Sequence, residues 1–239
     1  MGINELAQEY AARFKTLKAD WYYGGQRGLA VAKTIEDAVA ARKGLRQIAF
    51  ADIAGLEDRR SFWINLYNGA VIDLAIACGV EHSVREVRGF FTAKRLELAG
   101  EPLSLDDIEH GFLRTDRRHP IGLLPPLLLR PRLRPWMVCP FDPRIHFALN
   151  CGGQSCPPIR SYANALIDQQ LALATTAFLD TEVEIDPEHS TIRANRILRW
   201  YRSDFAGLGG LEEMIRRYRT GGIEARRWRF TWKRYDWSI

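Results

Sequence analysis

The run FWINLYNGAVIDLAIACGV, Phe62 to Val80, constrains the fold more than any other part of this chain. It is too long for a strand, it follows Ser61, and it meets Gly79, a residue that ends helices. It predicts a central helix buried in the protein interior. Asn65 and Asn68 lie three apart and share one helix face. A buried amide is costly unless it is satisfied. The pair therefore either serves a site or ties a neighbouring loop to the helix.

The segments around this helix mix helical and strand patterns. Asn4–Ala19 has apolar residues at helical spacing, with Asn4 as the expected N-cap. Leu29–Lys43 and Gln47–Leu56 are expected helices. Phe91–Leu98 and Pro102–Leu103 flank Ala99-Gly100-Glu101, which predicts a hairpin. Ser104 and Asp107 form a variant capping box that opens a short helix ending near Arg114. Pro120–Pro143 reads as a long ordered loop. Ile145–Cys151 alternates like a strand and runs into Gly152-Gly153. An amphipathic helix is expected over Ser161–Leu179, and a second hairpin over Val183–Ile185 and Thr191–Ala194. Short helices are expected over Ile197–Phe205 and Leu211–Tyr218, followed by an extended tail. Helices and strands do not alternate strictly, so the fold class is α+β: a helix-rich single domain with a small antiparallel sheet.

Composition narrows the function. The 239 residues are 46% hydrophobic and 26% charged, as in a soluble globular protein. No stretch makes the ~20 apolar residues of a membrane span. The N-terminus lacks an apolar signal core and a myristoylation pattern, so a cytoplasmic location and no membrane partner are expected. The net charge is +5, concentrated in Arg114–Arg134 and Arg216–Arg234. Acidic residues are interspersed and no nucleic-acid motif is present, so a solvated arginine-rich surface is expected rather than a nucleic-acid site. Four cysteines are too few for a disulfide framework. Cys78 is expected to be a small buried hydrophobe, Cys139 a loop or core residue, and His82, His119 and His189 exposed and inert.

The chemistry concentrates in HFALNCGGQSCPPIR, His146 to Arg160. Cys151 before the Gly-Gly turn is a candidate thiol nucleophile, which needs a base or cation to lower its pKa from ~8.5. His146 is a candidate base, although five residues place it on the opposite face of an ideal strand. His110, beside Glu109, is the alternative base. His146, Cys151 and Cys156 also give H-x4-C-x4-C, at the margin of zinc spacing. Cys151 and Cys156 could instead form a redox pair. A non-catalytic interaction or scaffolding module with a protein partner is the third class.

Four segments, FWINLYN, LDDIEHGFLR, HFALNCGGQSCPPIR and RWYRSDF, together with the closing YDWSI, resemble a bacterial and plant family called domain of unknown function 547. The resemblance covers about residue 50 to the C-terminus. It divides the chain into a helical extension, 1–49, and the domain, 50–239. It implies no established reaction. The positions it marks include Asn65, Asn68, Glu109, His110, Arg114, His146, Cys151, Arg160, Tyr201 and Asp204, with Cys156 the more replaceable cysteine. By analogy the fold is distantly papain- or transglutaminase-like, although the central helix offers Asn65 where those folds carry a nucleophile.

The resulting expectation is a polar cleft that performs cysteine-dependent hydrolysis or transfer of an acyl or amide group on a small molecule or peptide. Cys151 would be the nucleophile and His146 or His110 the base. Glu109, Asn65 or Asp204 would orient the base. Arg114 or Arg160 would hold an anionic group, with Asn68 and Tyr201 lining the cleft. No cofactor and no metal are expected.

Overall fold

The central helix runs from Arg60 to Ala77 and is buried continuously from Ser61 to Ala75. Its aromatic residues explain why. Trp63 stacks on Phe112 at 4.3 Å and donates its indole N–H to the Trp136 carbonyl at 2.8 Å. An indole buried this deeply contributes a large apolar area and still satisfies its polar edge.

The computed structural model describes residues 2–18, 48–54, 58–120, 124–126 and 130–239. The expected helix over Leu29–Lys43 lies outside the described residues. In chain order the helices are α1 (Ile3–Lys18), α2 (Phe50–Ala54), α3 (Arg60–Ala77), α4 (Ile167–Glu182), α5 (Arg196–Trp200) and α6 (Leu211–Tyr218). Strands β1 (Leu96–Leu98) and β2 (Glu101–Leu103) form an antiparallel pair. Strands β3 (Val183–Asp186), β4 (Thr191–Ala194) and β5 (Arg229–Trp232) form a second sheet. There β3 and β4 are antiparallel and β5 joins β4 in parallel, so this sheet is mixed rather than purely antiparallel. The class is α+β. Among the described residues, no helix is long and apolar enough to cross a membrane.

Helix α1 packs along α3. Asn4 lies inside it rather than capping it, because the helix already begins at Ile3. The Tyr10 hydroxyl donates to the buried Asp73 carboxylate at 2.8 Å. The contact depends on Gly69, where a Cβ would lie 2.5 Å from the Tyr10 ring and 3.3 Å from the Ala11 Cα. The ring is tethered through its hydroxyl and cannot swing away. Gly69→Ala is expected to destabilise the protein by about 1–2 kcal/mol despite its better helix propensity. A urea midpoint at or above that of the wild type would show that α1 can give way.

Several expected elements differ. Ile145–Cys151 is not a strand. Pro143–Phe147 forms a 3-10 turn, with Pro143 opening it and the Asp142 carboxylate accepting from Arg144 N at 3.0 Å. Proline at the first turn and aspartate at the cap outweigh the alternation. Its apolar residues serve two cores instead: Ile145 and Ala148 join the one around α3, and Phe147 joins the C-terminal one. The expected Ile197–Phe205 helix is split into α5 and a 3-10 turn over Asp204–Leu208. Cys78 is exposed, because α3 stops one residue before it.

Candidate active site

The helix after Ser104 sets the site. The capping box forms as the pattern implies: Asp107 N donates to Ser104 Oγ at 3.0 Å and Ser104 N donates to the Asp107 carboxylate at 2.8 Å. Beyond it, Asp107–Leu113 winds as a π-helix. Arg114 N reaches back five residues to the Glu109 carbonyl, and Asp116 N to that of Gly111, both at 2.8 Å. Such widened turns recur at functional sites. This one carries Glu109, His110 and Arg114, all buried.

Glu109 is held by two phenols. Tyr67 donates to it from α3 at 3.1 Å, and Tyr201 donates from the turn after α5 at 2.5 Å. Burial pushes its pKa up, but His110, the Tyr201 hydroxyl, His146 and Arg114 outweigh burial and hold it below the usual carboxylate range. The carboxyl is therefore an anion inside the protein.

A second buried chain of charges lies beside it. Arg114 grips Asp204 with two hydrogen bonds, at 2.7 and 3.1 Å. Asp204 also binds His146 Nε2 at 2.8 Å. Burial opposes the charge on Asp204, but His146 and Arg114 hold it strongly ionised. His146 stacks on Tyr201 at 3.8 Å, and burial lowers its pKa despite Asp204. The imidazole is thus neutral near pH 7, with Nε2 donating its proton to Asp204. Its Nδ1 is left with a lone pair and no hydrogen-bond partner among the described residues.

The thiols form a third group. Cys151 Sγ and Cys156 Sγ are 2.7 Å apart, and the Tyr235 hydroxyl lies 3.2 and 3.0 Å from them. Cys151 N also donates to Cys156 Sγ at 3.2 Å. Burial disfavours a thiolate at Cys156, but donors from Cys151, Tyr235 and the backbone outweigh it and bring the pKa down to about 7. Its hydrogen bond with Cys156 and then burial push Cys151 well up. The pair therefore loses its first proton more readily than an ordinary thiol. Gly152 makes the turn possible, with φ +92° and a Cβ position only 2.7 Å from Val84 Cγ1.

Members of all three groups line one cavity of about 640 Å³, within the usual range of about 300–1,000 Å³ for small-molecule sites. Glu109, His110, His146, Cys151 and Tyr201 all line it. A larger cleft of about 910 Å³ lies on the other side of Asp204. Its wall includes Arg60, Asp142 and Arg144, which pair with one another and with Asp168. Those charges satisfy one another, whereas the smaller cavity gathers groups poised for proton transfer.

The other expected site residues fall elsewhere. Asn65 exchanges two hydrogen bonds with the Tyr162 backbone, at 2.7 and 2.9 Å. Asn68 bridges Ala148 O and Asn150 N, both at 2.9 Å. Both amides tie loops to α3 and neither lines the cavity. Arg160 is exposed and also lies away from it. His119 does not stand apart in solvent: it packs edge-on to His110 at 4.4 Å in the cavity wall.

A family model described as "Protein of unknown function, DUF547" matches residues 54–179, more than half of the chain. The chain belongs to the DUF547 family. No curated protein and no solved structure matches it. In this DUF547 chain the matched stretch contains Glu109, His110, His146, Cys151 and Cys156, while Tyr201, Asp204 and Tyr235 lie beyond its end. The RWYRSDF and YDWSI segments supply those three. Tyr67 and Tyr235 carried no individual signal in the sequence, although both sit inside motifs that stood out.

Among the described residues, Asp106, His110 and His119 alone bring three possible metal-ligand atoms within 4.8 Å of one another. His146, Cys151 and Cys156 do not form such a group. Arg114 places a guanidinium N–H 3.0 Å from His110 Nδ1. A guanidinium only donates, so Nδ1 must accept and the proton sits on Nε2. That tautomer turns an N–H, not a lone pair, toward Asp106. The cluster is better suited to holding protons than to ligating a cation.

Proposed function

We propose that this cavity is the active site of a thiol-dependent hydrolase or transferase acting on an acyl or amide group of a small molecule or peptide. The observation that carries this reading is the convergence of Cys151, the Asp204-held His146 and Glu109 on one cavity. Cys151 is the nucleophile. Its proton passes to the Cys156 thiolate 2.7 Å away as the sulfur attacks the carbonyl. The leaving amine or alkoxide takes that proton and departs, leaving a thioester on Cys151. Water then attacks the thioester, with His146 Nδ1 accepting its proton; the C–S bond breaks, the acid departs, and the proton held by His146 returns to the Cys151 sulfur. Asp204 orients the imidazole and stabilises its charged form, as does the nearby Glu109 anion. A distant kinship to papain- and transglutaminase-like folds belongs to the same reading, as does a cytoplasmic site of action, where thiols remain reduced.

The 2.7 Å sulfur–sulfur contact favours a second reading, a dithiol–disulfide couple. A panel of nitrophenyl esters and nitroanilides, assayed with Cys151→Ala and Cys156→Ser, separates the two. The hydrolase requires turnover that vanishes in Cys151→Ala and survives in part in Cys156→Ser. Wild-type turnover by Cys151→Ala would overturn it. Disulfide exchange lost equally in both variants, without ester or amide turnover, would establish the redox couple instead. No activity of either kind would leave a non-catalytic interaction module.

A further inference from the structure

The cavity is polarised from floor to mouth. Its floor holds Glu109 and the half-buried Asp106. Its mouth holds three exposed arginines, Arg85, Arg88 and Arg196, which come from two separate segments. Four less exposed arginines, Arg60, Arg114, Arg130 and Arg144, each bind a carboxylate. The three at the mouth have no carboxylate partner among the described residues. Two are nevertheless held in place. Arg85 lies over the Trp237 ring at 5.6 Å. Arg196 donates through Nε to the Lys233 carbonyl at 3.2 Å, which leaves its two terminal nitrogens free to point elsewhere. Between mouth and floor the wall is apolar, built from Phe90, Phe91, Val87, Leu149, Trp200 and Trp237.

We propose that the cavity takes an amphiphilic monocarboxylate, an acyl or aryl body along the aromatic wall with its carboxylate bound by Arg85, Arg88 and Arg196. This rests on the thiol-enzyme reading and names its substrate class. A planar guanidinium pairs with a carboxylate through two parallel N–H donors, which a neutral head cannot match. The Glu109 anion in the floor repels a second anion, so the charged end stays at the mouth and the reactive amide or ester lies inward, toward Cys151. The apolar wall supplies burial without fixing identity, as in most small-molecule sites.

The test is direct binding, by energy transfer from tryptophan to dansyl, of dansyl-labelled undecanoate and of its neutral primary amide. The full chain carrying Cys151→Ala is used, so that binding is read apart from turnover. The acid is expected to bind about tenfold or more tightly than the amide, a preference that ~1 M salt removes. Arg85→Gln/Arg88→Gln/Arg196→Gln is expected to lose the preference while still binding the amide. All three side chains are exposed, so the fold is not at stake. Equal affinity for acid and amide, a preference untouched by the triple substitution, or no saturable binding of either probe would overturn the assignment. Turnover surviving in Cys151→Ala alongside selective acid binding would instead fault the thiol chemistry and leave the ligand class standing.

Discussion

Asp204→Ala is expected to destabilise the protein by about 3–5 kcal/mol, the usual cost of leaving one partner of a buried ion pair alone. Arg114 is buried and would keep only a carbonyl of Arg118 and the His110 ring as acceptors. His146 would lose the acceptor of its Nε2 proton. Arg117, 3.5 Å from Asp204 and partly exposed, can turn to solvent and limits nothing. Urea denaturation reads the loss. A double substitution, Arg114→Met/Asp204→Leu, is expected to recover a good part of it, because it removes both charges from the interior. A single-variant loss under about 1 kcal/mol would mean that the pair is better hydrated than its burial implies.

The same cluster sets an acid limit. Asp204 has its folded-state pKa lowered, so its contribution is full above its unfolded value, ~3.9, and fades as pH falls below that. His146 and His110 are lowered too, His110 to about 4, chiefly by burial. Their unfolded forms take up protons first, so their contribution is full above ~6.5 and declines as pH falls. For His110 the decline continues to about 4. Asp106 runs the other way: burial raises it to about 7, so its native form takes up a proton first and adds stability as pH falls toward ~3.9. In Asp106→Asn, which removes that gain, stability should fall from near pH 6.5 downward. Denaturation midpoints of that variant that stay level between neutral and mildly acidic pH would contradict the buried neutral imidazoles.

Cys151→Ala is expected to reduce turnover by about 10³-fold or more, the scale seen when a nucleophile is deleted. Cys156→Ser should act differently. It removes the thiolate that accepts the Cys151 proton, so the rate should decline less and its pH limb should rise from about 7 toward the ~8.5 of an ordinary thiol. Alkylation resolved by peptide gives an independent readout. Cys156 should be labelled first at neutral pH, and Tyr235→Phe should raise its apparent pKa by removing a hydrogen-bond donor 3.0 Å away. Faster labelling of Cys151 than of Cys156 in the native protein would reverse the assignment of nucleophile and base.

Local devices were legible in the sequence. The α3 helix, the Ser104–Asp107 box, both hairpins and α6 each follow from residues within a few positions of one another. The Ile145–Cys151 segment misleads because its alternation is real but Asp142 and Pro143 start a helical turn first. The candidate site was legible in its parts and not in its pairings. His146 meets Asp204 across 58 positions, Tyr201 meets Glu109 across 92, and Tyr235 reaches the cysteines across 79 and 84. No periodicity encodes such distances. His110 next to Glu109 looked like a base with its orienting acid, yet the guanidinium of Arg114 fixes its tautomer the other way round.

The tail closes the cysteine loop. Gln154 N and Ser155 N bond to the carbonyls of Ser238 and Asp236, and Asp236 N returns a bond to Ser155 Oγ. Gly153 permits this, since a Cβ there would lie 2.8 Å from the Asp236 carbonyl oxygen. Vectorial synthesis gives the arrangement a temporal meaning. The cysteines leave the ribosome long before Tyr235 does, so a nascent chain carries them as ordinary thiols without the donor that sharpens Cys156. Only when the tail threads into place are the two sulfurs, the phenol and the cavity wall assembled together. The Cys156 thiol is thereby tied to completed folding: a half-folded chain carries both cysteines without the phenol that helps lower its pKa.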